Sequence, residues 1–128
     1  MSKAQPLSIL EQLQAAPVSS FHVLESEKAK RMKARTMFVP APDDVAKVIL
    51  AIPKGKTKTM LEIRQQLSEL HQAETTCPFM TTRYWKWLAR ATEEAPETYQ
   101  IPWWRVLKEG KPSLENQKAL LEAEGTIV

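Results

Sequence analysis

Proline placement constrains this chain more than any other feature: nine prolines stand in 128 residues, and seven of them, Pro40, Pro42, Pro53, Pro78, Pro96, Pro102 and Pro112, punctuate the chain from residue 40 onward. Proline has no N–H and its ring clashes with the preceding helical turn, so each one marks a boundary rather than an interior. Between them the apolar residues repeat at helical spacing. Pro42 with Asp43 or Asp44 supplies a helix start, Val45, Val48 and Ile49 share one face, and Pro53 stops the helix. Thr59 followed by Glu62 has the spacing of a capping box and opens a second amphipathic helix over about 59–71, with Leu61, Ile63, Leu67 and Leu70 as its apolar residues. Cys77-Pro78 interrupts the chain again. Thr81 or Thr82 then caps a third helix in which Trp85, Leu88, Ala89 and Thr92 share a face, bounded by Pro96. Trp104 to Leu107 with Glu109-Gly110 fits a small two-stranded excursion. Ser113 caps a last helix, with Glu115 in its first turn, Leu114, Ala119, Leu120 and Leu121 apolar, and Gly125 ending it.

The first part of the chain reads differently. Ile9 to Leu13 fits a short helix broken at Pro17, a strand is expected at Phe21 to Leu24 or Thr36 to Val39, and Glu25 to Arg35 is highly charged with few apolar anchors. Residues 1–36 are therefore expected to form a partly helical, loosely packed extension, and residues 37–128 a mainly α domain with a small β element. Length agrees with one domain, since domains run most often to about 100–150 residues.

The single cysteine, Cys77, excludes an internal disulfide framework, and two distant histidines give no metal-ligand spacing. No metal or cofactor is expected. No apolar run approaches the roughly 20 residues needed to span a bilayer, and the first 30 residues lack the succession of a signal peptide, so the expectation is a cytoplasmic protein without a membrane partner. The net charge of +3 permits a polyanionic partner. Lys28, Lys30, Arg31, Lys33 and Arg35 form one basic block and Lys54, Lys56 and Lys58 a second; each suits phosphate or solvent equally.

Three pieces fall in a recognisable order. Val45 to Thr59, with its Ile-Pro-Lys-Gly turn, Ile101-Pro102-Trp103-Trp104-Arg105-Val106, and Lys118 to Gly125 resemble, in register, the DNA-binding domain of O6-alkylguanine-DNA alkyltransferases and their alkyltransferase-like relatives. The resemblance covers about residues 37–128. It implies a winged-helix-like fold containing a helix-turn-helix, double-stranded DNA as partner, a repair-linked role, O6-alkylguanine as the recognised lesion, and a monomer. Trp103 and Trp104 stand where the family carries its reactive cysteine and histidine. A thiolate accepts the alkyl group and needs a neighbouring base or positive charge to form; an indole supplies neither, so the chain resembles a non-catalytic branch.

The resemblance also implies site residues. Thr59, Thr81, Thr82 and Arg83 would contact DNA, with Met60, Tyr84 and Arg105 beside them, and Trp103 and Trp104 would line the base pocket. Counted without gaps from Pro78, the family's base-replacing arginine falls on Thr82, so Arg83 takes that role only with a one-residue shift. Met60 stands where the family has a tyrosine that presses on phosphate. Glu124 matches a glutamate that orients the missing histidine, which leaves it a capping or pairing role. From the residues alone, Thr59, Thr81 and Thr82 serve as helix caps as readily as phosphate ligands. Adjacent indoles between Pro102 and Arg105 are expected to point in opposite directions, one to the core and one to the surface. Tyr84 and Trp87 lie away from the Trp85 face and suit contact, and Arg105 suits a structural bridge. Two other readings stay open: the same fold used as a protein-interaction module, and a residual alkyl acceptor through Cys77.

Overall fold

A computed structural model describes residues 8–126; residues 1–7 of the expected extension and 127–128 of the expected domain lie outside them. Six helices carry the described architecture: α1 (Ile9–Ala15), α2 (Ser26–Met32), α3 (Pro42–Leu50), α4 (Met60–Leu70), α5 (Pro78–Glu94) and α6 (Gln117–Ala123). Strands β1 (Ser20–Val23), β2 (Thr36–Val39) and β4 (Thr75–Thr76) form a sheet in the order β1-β2-β4, with β1 antiparallel and β4 parallel to β2. Strand β3 (Lys58–Thr59) pairs in parallel with β5 (Val106–Leu107). No helix among the described residues is long and apolar enough to cross a membrane.

The core is an α3–α4–α5 packing to which α1 is added. Val45, Ile49 and Ile52 from the α3 segment meet Ile63 and Leu67 of α4 and Trp85, Leu88 and Ala91 of α5, all essentially without solvent exposure. Ile9 and Leu13 of α1 are buried in the same cluster, so α1 is not loosely packed as expected. A capping box between Ser8 and Glu11 fixes its start. The expectation does describe α2, which buries no residue. Both candidate strands of this region form, and they pair with each other, Phe21 opposite Phe38.

Local signals place most boundaries. The Ala41 N–H donates to Asp44 Oδ2 at 2.8 Å, closing the start of α3, and the Thr59–Glu62 capping box opens α4. Three assignments change. Of the four apolar residues read on α4, Ile63 and Leu67 are buried while Leu61 and Leu70 are exposed, because the helix packs along one narrow stripe. Helix α5 starts at Pro78 rather than at a Thr81 or Thr82 cap, since proline at the first helical position is already set for the turn; Thr81 lies inside it and its Oγ1 donates to the Cys77 carbonyl at 2.7 Å. Helix α6 starts at Gln117, after Asn116 in the left-handed region (φ 67°), so Ser113 and Glu115 precede the helix and do not belong to it. Gly125, at φ 83°, does end it.

Opposite fates for two neighbouring aliphatic residues give a direct check. Ile63→Ala should cost about 2–5 kcal/mol, whereas Leu61→Ala should stay within about 0.5 kcal/mol, both read from urea midpoints at unchanged m-value. Equal effects would contradict the packing of α4.

Candidate nucleic-acid interface

After α5 the chain turns at Pro96 and Pro102 into a short 3-10 turn, Trp103–Arg105, and then into β5. Trp103 is 1% exposed. Its carbonyl accepts the indole N–H of Trp85 at 2.8 Å, which locks the loop to the middle of α5. Trp104 is half-buried and meets Trp103 edge-on, with ring centroids 6.0 Å apart at 81°. The two indoles therefore divide as core and surface, and Trp103 does not line an open base pocket, contrary to the role drawn from the resemblance.

Arg105 is structural. Its guanidinium forms a two-pronged bridge with the Glu124 carboxylate, donates to the Ile52 carbonyl at 2.8 Å, and lies over the Trp104 ring at 5.8 Å. Glu124 thus pairs as its place without a histidine suggested. The Arg105 bridge holds the Glu124 carboxyl below the ordinary range, and burial opposes this. Gln117 completes the clamp from α6. Its Oε1 accepts the N–H groups of Ser113 and Leu114, and its Nε2 donates to the carbonyls of Trp104 and Val106.

Beyond β5, a two-residue turn at Glu109 (φ 54°) and Gly110 (φ 74°) brings Lys108 opposite Lys111. Positive φ at both central residues is the geometry of a tight hairpin, and the small excursion read from the sequence is present in this form. The hairpin stands beside the start of α5, and two adjoining depressions, the arms of one grooved surface, flank Pro78, Thr82 and Lys108. One arm, about 520 Å³, is lined by Thr59, Met60, Leu61, Arg64, Glu109 and Gly110. The other, about 470 Å³, is lined by Phe79, Arg83, Lys86 and Trp87.

This groove brings together only part of the expected site. Thr82 and Arg83 line it. Thr59 lies at its edge, with its hydroxyl committed to the cap: Oγ1 accepts the Glu62 N–H and donates to Glu62 Oε1, each at 3.1 Å. The Thr59 backbone N–H is the first cause of a lowered Glu62 pKa, followed by the hydroxyl, so a carboxylate accompanies that threonine. Met60 is 7% exposed and presents little surface. Thr81 and Tyr84 are core residues, at 0% and 1% exposure, and are not surface contacts as expected; burial raises the Tyr84 hydroxyl pKa. Trp87 is half-buried and packs edge-on against Tyr84 at 5.3 Å.

Lys86, Lys108, Arg64 and Phe79 were not read as site residues. Two of them, Phe79 and Lys86, carry a local signal: at 3.6 residues per turn, Phe79, Arg83, Lys86 and Arg90 fall within an arc of about 60° on one side of α5. Arg90 is partly engaged by Glu94 at 3.7 Å. Lys108 had none, because its place depends on the hairpin. The basic block of Lys28, Lys30, Arg31, Lys33 and Arg35 is exposed on and after α2 and does not line this groove. Among the described residues no cluster of His, Cys, Asp and Glu could hold a metal.

A mainly helical domain with two helices meeting at a cation-lined groove, and a clamped loop behind it, defines a DNA-binding domain of the alkyltransferase type. The chain belongs to the 6-O-methylguanine DNA methyltransferase family, matching that family's DNA-binding domain over residues 40–126. No curated protein and no solved structure matches it significantly. Family membership supports DNA as the partner.

The clamp predicts a pH signature. A carboxylate whose pKa is lowered by folding adds stability above its unfolded pKa and loses it as pH falls through the folded value. The stability difference between the wild type and Glu124→Gln should therefore be full near pH 7 and shrink progressively below about pH 4. Removing one partner of an enclosed ion pair should cost about 3 kcal/mol at neutral pH, measured by denaturant unfolding.

Proposed function

We propose that this protein binds double-stranded DNA through the groove between α5, the start of α4 and the Lys108–Lys111 hairpin, and transfers no alkyl group. The observation that carries the binding reading is the charge of that groove: Arg64, Arg83, Lys86 and Lys108 against Glu109 alone. The discriminating feature for a protein-interaction module is an exposed patch of Trp87 and Trp103 lacking positive surroundings. Trp103 is buried and Trp87 is flanked by Arg83 and Lys86, which favours DNA.

The non-catalytic reading rests on chemistry. The reactive-loop positions hold Trp103 and Trp104, and neither indole can form a thiolate or act as its base. Cys77, the one thiol, is 9% exposed. It stands eight residues before Trp85, about 12 Å along the axis of α5, and is therefore well separated from the loop that Trp85 holds. Recognition of O6-alkylguanine in a repair-linked role is the finer reading, and Trp104 is its support: it is the loop indole with accessible surface, braced by Arg105.

Neutralising about four phosphates gives a slope of log K against log salt of about −3.6, and Arg83→Ala or Lys108→Ala should each reduce it by about 0.9. A flat salt response would remove the groove reading. After incubation with an O6-methylguanine duplex, intact mass should be unchanged; added alkyl mass on Cys77 would reverse the non-enzyme reading. Lesion recognition requires stronger tryptophan quenching by that duplex than by an unmodified one, and equal quenching would leave general DNA binding alone.

A further inference from the structure

One aromatic side chain sits fully out on the cationic groove instead of under it, beside the exposed aliphatic Leu61 of the other arm. Phe79 is 77% exposed at the second position of α5, while the neighbouring indoles are buried or half-buried. It lines the same arm of the groove as Thr82, Arg83, Lys86, Trp87 and Lys108. Along α5 it is four residues before Arg83 and seven before Lys86, so its ring and the two cations share one side of the helix. A bare phenyl ring amid cations makes poor contact with a protein core, and the charges around it match a polyanion. The complement of this arrangement is a strand whose phosphates meet Arg83, Lys86 and Lys108 while a base face meets the ring.

We infer that Phe79 is the base-stacking residue of this protein, engaging a base unstacked from its neighbours at a flexible or unpaired step of DNA. This rests on the DNA-binding reading above and deepens it. It adds an aromatic contact on α5 to the one surface the loop offers, where Trp103 is committed to the core and Trp104 is half-buried against it. Apolar side chains inserted at base steps act in the same way, trading unstacking for new contact.

The experiment compares binding of the full-length wild type, Phe79→Ala, Phe79→Leu and Phe79→Trp to two duplexes, one fully paired and one carrying a central unpaired 2-aminopurine, across a salt series. Phe79→Ala and Phe79→Leu should lose about 5- to 150-fold in affinity for the unpaired-base duplex, the range for losing one base–aromatic stack. Phe79→Trp should retain affinity. The salt slope should be the same for all four proteins, because the ring neutralises no phosphate. Binding of wild type and Phe79→Trp should change 2-aminopurine emission as the base leaves its neighbours' stack, and binding of the Ala and Leu variants should not. If wild type binds and the Ala variant binds equally well with the same emission change, the stacking role is overturned and Phe79 is left as a protein contact. If Phe79→Leu gives the wild-type emission change and affinity, a generic apolar wedge replaces aromatic stacking and the inference also falls. If wild type binds neither duplex, the DNA reading itself fails and takes this one with it. With 77% of its surface in solvent, Phe79 can be replaced without loss of the fold, which identical thermal transitions verify.

Discussion

The guanidinium of Arg105 is the interaction on which the rest of this structure depends. It joins three pieces distant in sequence: the carbonyl of Ile52 at the end of the α3 segment, the loop that carries Trp103 and Trp104, and Glu124 at the end of α6. No two of these are linked by a continuous helix or strand. An arginine can serve all of them because its donors lie in one plane with a fixed fork, two aimed at a carboxylate and another at a carbonyl. The bridge is mostly enclosed, with 15% and 10% of the two side chains exposed, so its partners must be present together or a charge is left stranded. Gln117 repeats the arrangement with neutral groups, satisfying two N–H donors on one side and two loop carbonyls on the other.

A loop clamped in this way is a firm scaffold whatever residues it carries. The loop carries two indoles, and their division between core and surface follows from the clamp and the Trp85 hydrogen bond. Trp103 contributes volume to the core and its carbonyl to Trp85. The loop is a structural element, whereas the outward side of α5 and the hairpin that β5 leads into are open to solvent. The pairing of β3 with β5 fixes that hairpin beside the start of α4, so the two arms of the groove are positioned by the elements that fix the loop.

Helices were legible in the sequence where the signal was local. The Pro42 start, the Thr59–Glu62 cap and the terminal Gly125 are decided within four residues, and each appears where the sequence places it. Faces were less legible. Leu61 and Leu70 match a helical repeat as well as Ile63 and Leu67 do, and only the position of α3 and α5 selects the buried pair. The start of α5 is not decided locally, because threonine is a good cap and proline a good first residue; the contact roles of Thr81 and Tyr84 came from the resemblance, and burial overrides them. Two-residue strands such as β3 and β5 carry no pattern of their own and exist only by pairing across 48 residues, Lys58 with Val106. The structural role of Arg105 was anticipated, but its bridge to Glu124 spans 19 residues and no spacing rule reaches it.

Helix α5 resolves the competition between fold and function by direction. Thr81, Tyr84, Trp85, Leu88 and Ala91 face inward and hold α1, α3, α4 and the loop, while Phe79, Arg83, Lys86 and Arg90 face outward on nearly the opposite arc. Burial fixes the inward set through volume and hydrogen bonding, where a single methylene matters. The outward set is constrained only by what it meets, so a cationic residue can change there with little effect on packing. The aromatic ring at Phe79 is the exception on that side: exposed apolar surface brings no gain to the isolated fold, and its place among cations is the arrangement from which the stacking inference is drawn.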